Sequence, residues 1–165
     1  MTTKANTSLP KVKSEELANY ILATTGPMNH LKLQKLIYYV EAYHLAYFEQ
    51  SLIEDEFEAW LHGPVSRKIW DCYRNIANIY DDVSVMGDKK ETIKLFEQKI
   101  KNDQKELICD VLKEYGKESA YGLECMTHAE EPWQEARKGY APDAKCEKKI
   151  SKTLMQKYYK QNLYQ

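Results

Sequence analysis

Residues 30–48, HLKLQKLIYYVEAYHLAYF, are apolar nearly all the way round a helix, and this limits the fold more than any other feature. The spacing predicts a helix of about five turns that begins after Asn29, a residue able to cap it. Leu33, Leu36, Ile37, Val40 and Tyr47 fall on one face, and Leu31, Tyr38, Ala42 and Leu45 cover much of the other. Only Lys32, Gln34, Lys35, Glu41 and His44 interrupt the apolar surface. A helix of this kind sits at the centre of a domain with other helices packed on several sides. Gln34 and Glu41 are two turns apart on one face, so their burial requires hydrogen-bond partners from elsewhere in the chain.

A chain of 165 residues is one domain of ordinary size, able to bury its own core. Apolar content is 43%, and no apolar run approaches the roughly 20 residues a membrane span needs. The first residues, MTTKANTSLPKVK, lack the apolar segment of a signal peptide. Residues 1–12 are expected to be flexible, and 13–165 to form a single domain. Cys72, Cys109, Cys125 and Cys146 are scattered without a CxxC spacing and read as small buried hydrophobes of a cytoplasmic protein. The formal net charge of −1 gives no field that would attract nucleic acid. Charge is unevenly placed, with Glu54, Asp55, Glu56 and Glu58 in one run and six lysines between Lys145 and Lys160. These read as two solvated faces or as a polarised surface that orients a partner.

Along the chain, a first helix is expected after Ser14, stopped by Gly26-Pro27. Phe57, Ala59 and Leu61 alternate with polar or exposed positions, suggesting a short strand. In His62-Gly63-Pro64-Val65, Gly63 permits an unusual backbone angle and Pro64 suits the first position of a new helix. Residues 78–88 are a polar connection that presents Tyr80, Asp81 and Asp82. Helices are expected near 90–101, 103–116 and 119–125, and from Glu131 to Arg137. Thr127 and Glu130 have the spacing of a capping box. A last helix, about 146–162, is expected to turn Ile150, Leu154 and Tyr158 inward. The sum is a mainly α fold: a single compact domain of six or seven helices around a buried central helix, with at most one short strand pair.

Catalytic patterns are scarce. No HxxxH, HExxH, GxSxG or phosphate-cradling glycine loop occurs. His62, His128, Glu130 and Glu131 are the residues that would have to converge for a metal-assisted hydrolase, but structural roles fit them better. Thr127, His128, Pro132 and Trp133 read as a tight interhelix junction, with Trp133 buried and His128 held by hydrogen bonds. No cofactor is expected. Thirteen tyrosines stand against three phenylalanines, and tyrosine suits interfaces because it joins contact area to a polar tip. The C-terminal KYYKQNLY has the lysines and aromatics of a single-strand binder. Near-neutral charge, scarce arginine and the absence of a DNA-reading motif make nucleic acid the weaker reading.

Three stretches, LKLQKLIYYVEAYHLAYF at 31–48, EAWLHGPVSRKIWDCYR at 58–74 and LECMTHAEEPWQEAR at 123–137, resemble in order and separation the Panacea domain. This is the SocA-like antitoxin family, also found in phage-associated proteins. The resemblance implies a bacterial antitoxin of the type II kind, encoded beside its toxin and neutralising it by direct protein contact. Toxins of such pairs commonly attack translation or nucleotide metabolism, and include alarmone-synthetase-like enzymes. The resemblance also admits an adaptor that delivers the toxin to a ClpXP-type protease. It marks Gln34, Glu41, His62, Gly63, Pro64, Thr127, His128, Pro132 and Trp133 as motif positions without making them catalytic. From expected exposure, partner contacts are placed on Tyr80, Asp81 and Asp82 and on Tyr158 and Tyr159 of the last helix.

Overall fold

The computed structural model describes residues 8–163. Among them are α1 (Ser14–Thr25), β1 (Met28–Asn29), α2 (His30–Phe48), β2 (Phe57–Trp60), β3 (Gly63–Ser66) and α3 (Arg67–Tyr73). These are followed by β4 (Asp82–Val83), α4 (Lys89–Gln98), α5 (Asn102–Tyr115), α6 (Ala120–His128), α7 (Glu131–Ala136) and α8 (Lys152–Asn162). The fold is mainly α, as read, with eight helices among the described residues rather than six or seven. It has two antiparallel strand pairs rather than one, β2 with β3 and β1 with β4. The second pair has two residues per strand, too short to register as an alternation in sequence.

Helix α2 is the axis. The Asn29 side chain accepts a hydrogen bond from the Lys32 N–H at 2.8 Å, and Glu49 ends the helix in the left-handed region at φ 58°. Every residue from Leu33 to Ala46 is buried. Helices α1, α5, α6 and α8 and strand β3 pack around it. Tyr47, expected on the inner face, is 59% exposed, and Cys109 and Cys125, expected to be buried, are exposed as well, on the outer sides of α5 and α6.

Two other expectations are corrected by where backbone groups find partners. Pro64 does not open a helix: it lies in β3 opposite Ala59, and Ser66 caps α3 by accepting from the Ile69 N–H. The last helix starts at Lys152 rather than 146, because residues 148–150 run along β2. The Ala59 N–H donates to the Lys148 carbonyl at 2.8 Å, and the Ile150 N–H donates to the Phe57 carbonyl at 2.7 Å. Ser151 caps α8 and sets its phase, so Met155 and Tyr159 face the core while Leu154 and Tyr158 are half-buried. Residues 8–12 of the expected flexible segment make hydrogen bonds to the rest of the chain. The Val12 N–H donates to the Leu52 carbonyl at 3.0 Å, and the Gln104 amide donates to the Pro10 carbonyl at 2.9 Å. Residues 1–7 of that segment lie outside the described residues. None of the described helices is long and apolar enough to cross a membrane.

The acidic run and the C-terminal lysines lie side by side rather than on separate faces. Lys149 pairs with Glu56 at 2.7 Å, and Arg67 pairs with Glu58 at 2.8 Å. The Lys149–Glu56 pair is largely solvated, where such contacts stabilise by about 1 kcal/mol or less, whereas Arg67 grips both oxygens of the mostly covered Glu58 carboxylate.

Candidate functional site

The three motif-bearing stretches meet at Gly63. Its φ of +106° is open to glycine and strained for other residues. A Cβ placed there would lie 2.4 Å from Lys35 Cε and 2.9 Å from Thr127 Oγ1. The bare backbone thus lets α2, the β2–β3 hairpin and α6 close on one another. Lys35 is fully buried, and its ammonium donates to the Pro64 carbonyl at 3.2 Å. Burial pushes Lys35 down to about 7, with the Glu124 carboxylate opposing the shift.

Beside this junction, His62 Nδ1 donates to Glu124 Oε1 at 2.8 Å, and His128 Nε2 stands 3.9 Å from the same oxygen. His62 and His128 do come together, but on Glu124, which the sequence reading did not single out; Glu131 is exposed at the start of α7. The His128 ring stacks on Trp133 at 4.0 Å, and the Arg137 guanidinium lies 5.0 Å from the Trp133 ring. Burial lowers His128, with Glu124 opposing. Trp133 is half-buried rather than buried, and its indole donates to the Trp60 carbonyl at 2.9 Å. Pro132 is buried in the first turn of α7. Arg137 donates to the carbonyls of Ala59 at 2.8 Å and Ala144 at 2.6 Å, tying the 141–144 turn to β2.

The capping box does not form. Helix α6 continues through Thr127, whose hydroxyl donates to the Glu124 carbonyl at 2.8 Å. Glu130 precedes α7 but makes no side-chain cap. Its carboxylate turns inward and accepts from the Tyr39 hydroxyl at 2.6 Å and the Tyr159 hydroxyl at 2.8 Å. Tyr159 also shares a hydrogen bond with Tyr38, and Tyr43 shares one with Tyr115 at 2.6 Å. Burial raises Glu130, and the two phenols hold it down. Six of the thirteen tyrosines are therefore core, and the buried hydroxyls of Tyr20, Tyr38, Tyr39, Tyr43 and Tyr159 each have a partner.

Gln34 and Glu41 both find their partners. Gln34 accepts from the Ser66 N–H at 2.9 Å and donates to the Ser66 carbonyl at 3.1 Å, locking α2 to the end of β3. That orientation of the amide makes His30 Nε2, 3.1 Å away, an acceptor and places the imidazole proton on Nδ1. Glu41 accepts from the Leu52 N–H at 2.7 Å and from the Lys152 ammonium at 2.7 Å. Burial raises Glu41, while Lys152 and the backbone donors oppose that shift.

A cleft of about 340 Å³ opens beside the hairpin, walled by Trp60, Leu61, Val65, Trp70 and Ile79. His62 is at its rim, and the buried His30 and Gln34 are behind it. Tyr80 follows Ile79 and is 65% exposed; Asp81 and Asp82 are exposed with it. Tyr158 is half-buried. Tyr159 is fully buried, which corrects its placement as a surface contact: its hydroxyl is engaged with Glu130 and Tyr38.

What the motif positions do, on this geometry, is hold three segments together. Among the described residues no group of three or more His, Cys, Asp and Glu side chains is arranged to hold a metal ion. Lys35, Glu124, Arg137 and Lys152 carry as much of the network as the motif residues do. A buried lysine interrupting an apolar helix was the one visible signal among them.

No curated protein and no solved structure gives a match to the chain. The pattern of the family described as "Antitoxin SocA-like, Panacea domain" matches residues 33–134, which run from the first turn of α2 through the hairpin and α3 to α6 and end in the first part of α7. That match takes in more than half of the 165 residues, with the whole of the second stretch that meets at Gly63 and most of the first and third. The chain belongs to the SocA-like antitoxin family defined by the Panacea domain.

Proposed function

We propose that the protein is the antitoxin of a type II pair, acting in the bacterial cytoplasm on a protein toxin encoded by the adjacent gene. The observation that carries this reading is the family match over residues 33–134. The site geometry supports it: Gln34, Glu41, Gly63, Pro64 and Thr127 are occupied in joining segments, which suits a rigid binding domain. Neutralisation is by occlusion, with one face of the domain covering the toxin's active site. The toxin is a poison of translation or nucleotide metabolism, a class that includes alarmone-synthetase-like enzymes. Tyr80, Asp81 and Asp82 are proposed contacts because they stand exposed beside an apolar cleft, and Tyr158 because it is half-exposed on α8.

Co-expression with the product of the adjacent gene tests this. Growth rescue together with a complex that survives gel filtration is expected. A neighbour that is harmless alone, or rescue absent in the presence of both proteins, would overturn the proposal.

A further inference from the structure

A second groove, of about 390 Å³, runs between α5, the end of α2 and the C-terminal end of α8. It shares no lining residue with the cleft beside the hairpin. Its apolar surface comes from Leu107, Val111 and Tyr115 of α5, from Tyr43 and the exposed Tyr47 of α2, and from Leu163. Tyr47 is the aromatic that the apolar pattern of α2 placed inside and the structure leaves 59% exposed. The Tyr43 and Tyr115 hydroxyls are bonded to each other at 2.6 Å, which fixes the two rings in place.

All the charged residues on this groove are of one sign. Asp103, Glu106, Asp110 and Glu114 line it, and no lysine or arginine does. Steps of three, four and four residues put these carboxylates on a single stripe of α5. Eleven residues at a helical rise make the stripe about 16 Å long. Glu114 has one exposed partner, Lys117 at 3.6 Å, and the nearby Lys105 is turned to Glu97 at 3.0 Å. Among the described residues Asp103, Glu106 and Asp110 form no ion pair. A groove with an aromatic floor and an anionic ridge along one side fits an amphipathic helix whose apolar face fills the floor and whose basic flank meets the ridge.

We infer that the groove between α5 and the end of α2 docks a basic amphipathic helix of the partner protein. This rests on the antitoxin reading for the partner's identity as the toxin. The occupant is about three turns long, with leucine-like or aromatic residues at helical spacing and lysine or arginine beside them.

The test uses the full chain with E106K and D110K together, both at exposed positions. E91K, exposed on α4 and away from the groove, serves as the charge-reversal control. With the toxin, the double reversal is expected to weaken the complex about tenfold to a hundredfold, mainly by reducing the association rate and its salt dependence. E91K leaves it unchanged. An intact complex with unchanged salt dependence in the double variant overturns the groove and leaves the antitoxin reading standing. If the wild-type protein fails to bind the neighbour at all, the antitoxin reading falls. The groove is then judged with a 14-residue Leu/Lys amphipathic helical peptide. Binding that E106K/D110K removes and E91K retains supports the groove, and binding lost equally in both variants overturns it. Self-association abolished by E106K/D110K would also overturn it, in favour of a contact between copies.

Discussion

Replacing Lys35 with methionine should stabilise the protein at neutral pH and remove much of its gain in stability at alkaline pH. The side chain is fully buried, and its only hydrogen bond among the described residues is to the Pro64 carbonyl. Burial takes its pKa from an ordinary 10.5 to about 7. Between those values the unfolded chain binds the proton and the folded chain does not, so stability rises with pH. The slope approaches about 1.4 kcal/mol per pH unit. From pH 6.5 to 9.5 the wild-type protein gains about 3 kcal/mol through this residue. Methionine fills similar space beside Gly63 without a charge to desolvate. It leaves the Pro64 carbonyl unpaired, which costs about 1–3 kcal/mol. K35M should therefore be about 2–3 kcal/mol more stable at pH 6.5 and no more stable than wild type at pH 9.5. Urea unfolding of both proteins at several pH values measures this, and the difference between them isolates Lys35 from every other titrating group. A difference that is flat with pH would show that Lys35 keeps an ordinary pKa in the fold, and would refute the buried junction.

Other consequences follow from the same geometry. G63A puts a Cβ against Lys35 and Thr127 at a positive φ, so it should cost about 2–4 kcal/mol, read as a lower Tm; a melting temperature like wild type's contradicts it. Burial lowers His30 and His44 to about 4 each, so the unfolded state gains protons first as pH falls below 6.5. Stability should drop by up to about 3 kcal/mol per histidine between pH 6.5 and 4. An NMR titration that found His44 protonating near 6.5 would refute this. Y159F removes a hydroxyl bonded to Glu130 and Tyr38 and should cost about 1–2 kcal/mol, whereas Y158F should stay within about 0.5 kcal/mol of wild type. Equal effects in urea unfolding would mean that the phase of α8 is wrong.

What the sequence made legible was the part of the fold that depends on local pattern. The all-round apolar character of residues 30–48 identified the axis, and Asn29 marked its start. Gln34 and Glu41 could be recognised as needing partners, but the partners could not be named. Glu41 is answered by Lys152, 111 residues away, and nothing in local spacing encodes that distance. Arg137 is similar, since its acceptors are carbonyls of a strand and a turn brought together only by folding. Tyr47 and Tyr159 changed places for one reason: periodicity gives a face, and the ends of neighbouring helices decide whether that face is covered. The spacing of residues 148–150 fits a helix, since apolar periodicity does not reveal that β2 takes up their backbone groups. The family resemblance identified the motif positions, and the structure showed that they join segments.

The most direct test of the central claim, neutralisation by contact, is a titration of the purified toxin's activity with this protein in the absence of any protease. The account predicts that activity falls in proportion to added protein and reaches its floor at a fixed stoichiometric ratio, with recovery when the complex is dissociated. Inhibition by far less than one equivalent would contradict it and indicate an enzymatic antidote. Full toxin activity in the presence of excess protein would contradict it as well, and would leave delivery to a protease as the route of rescue.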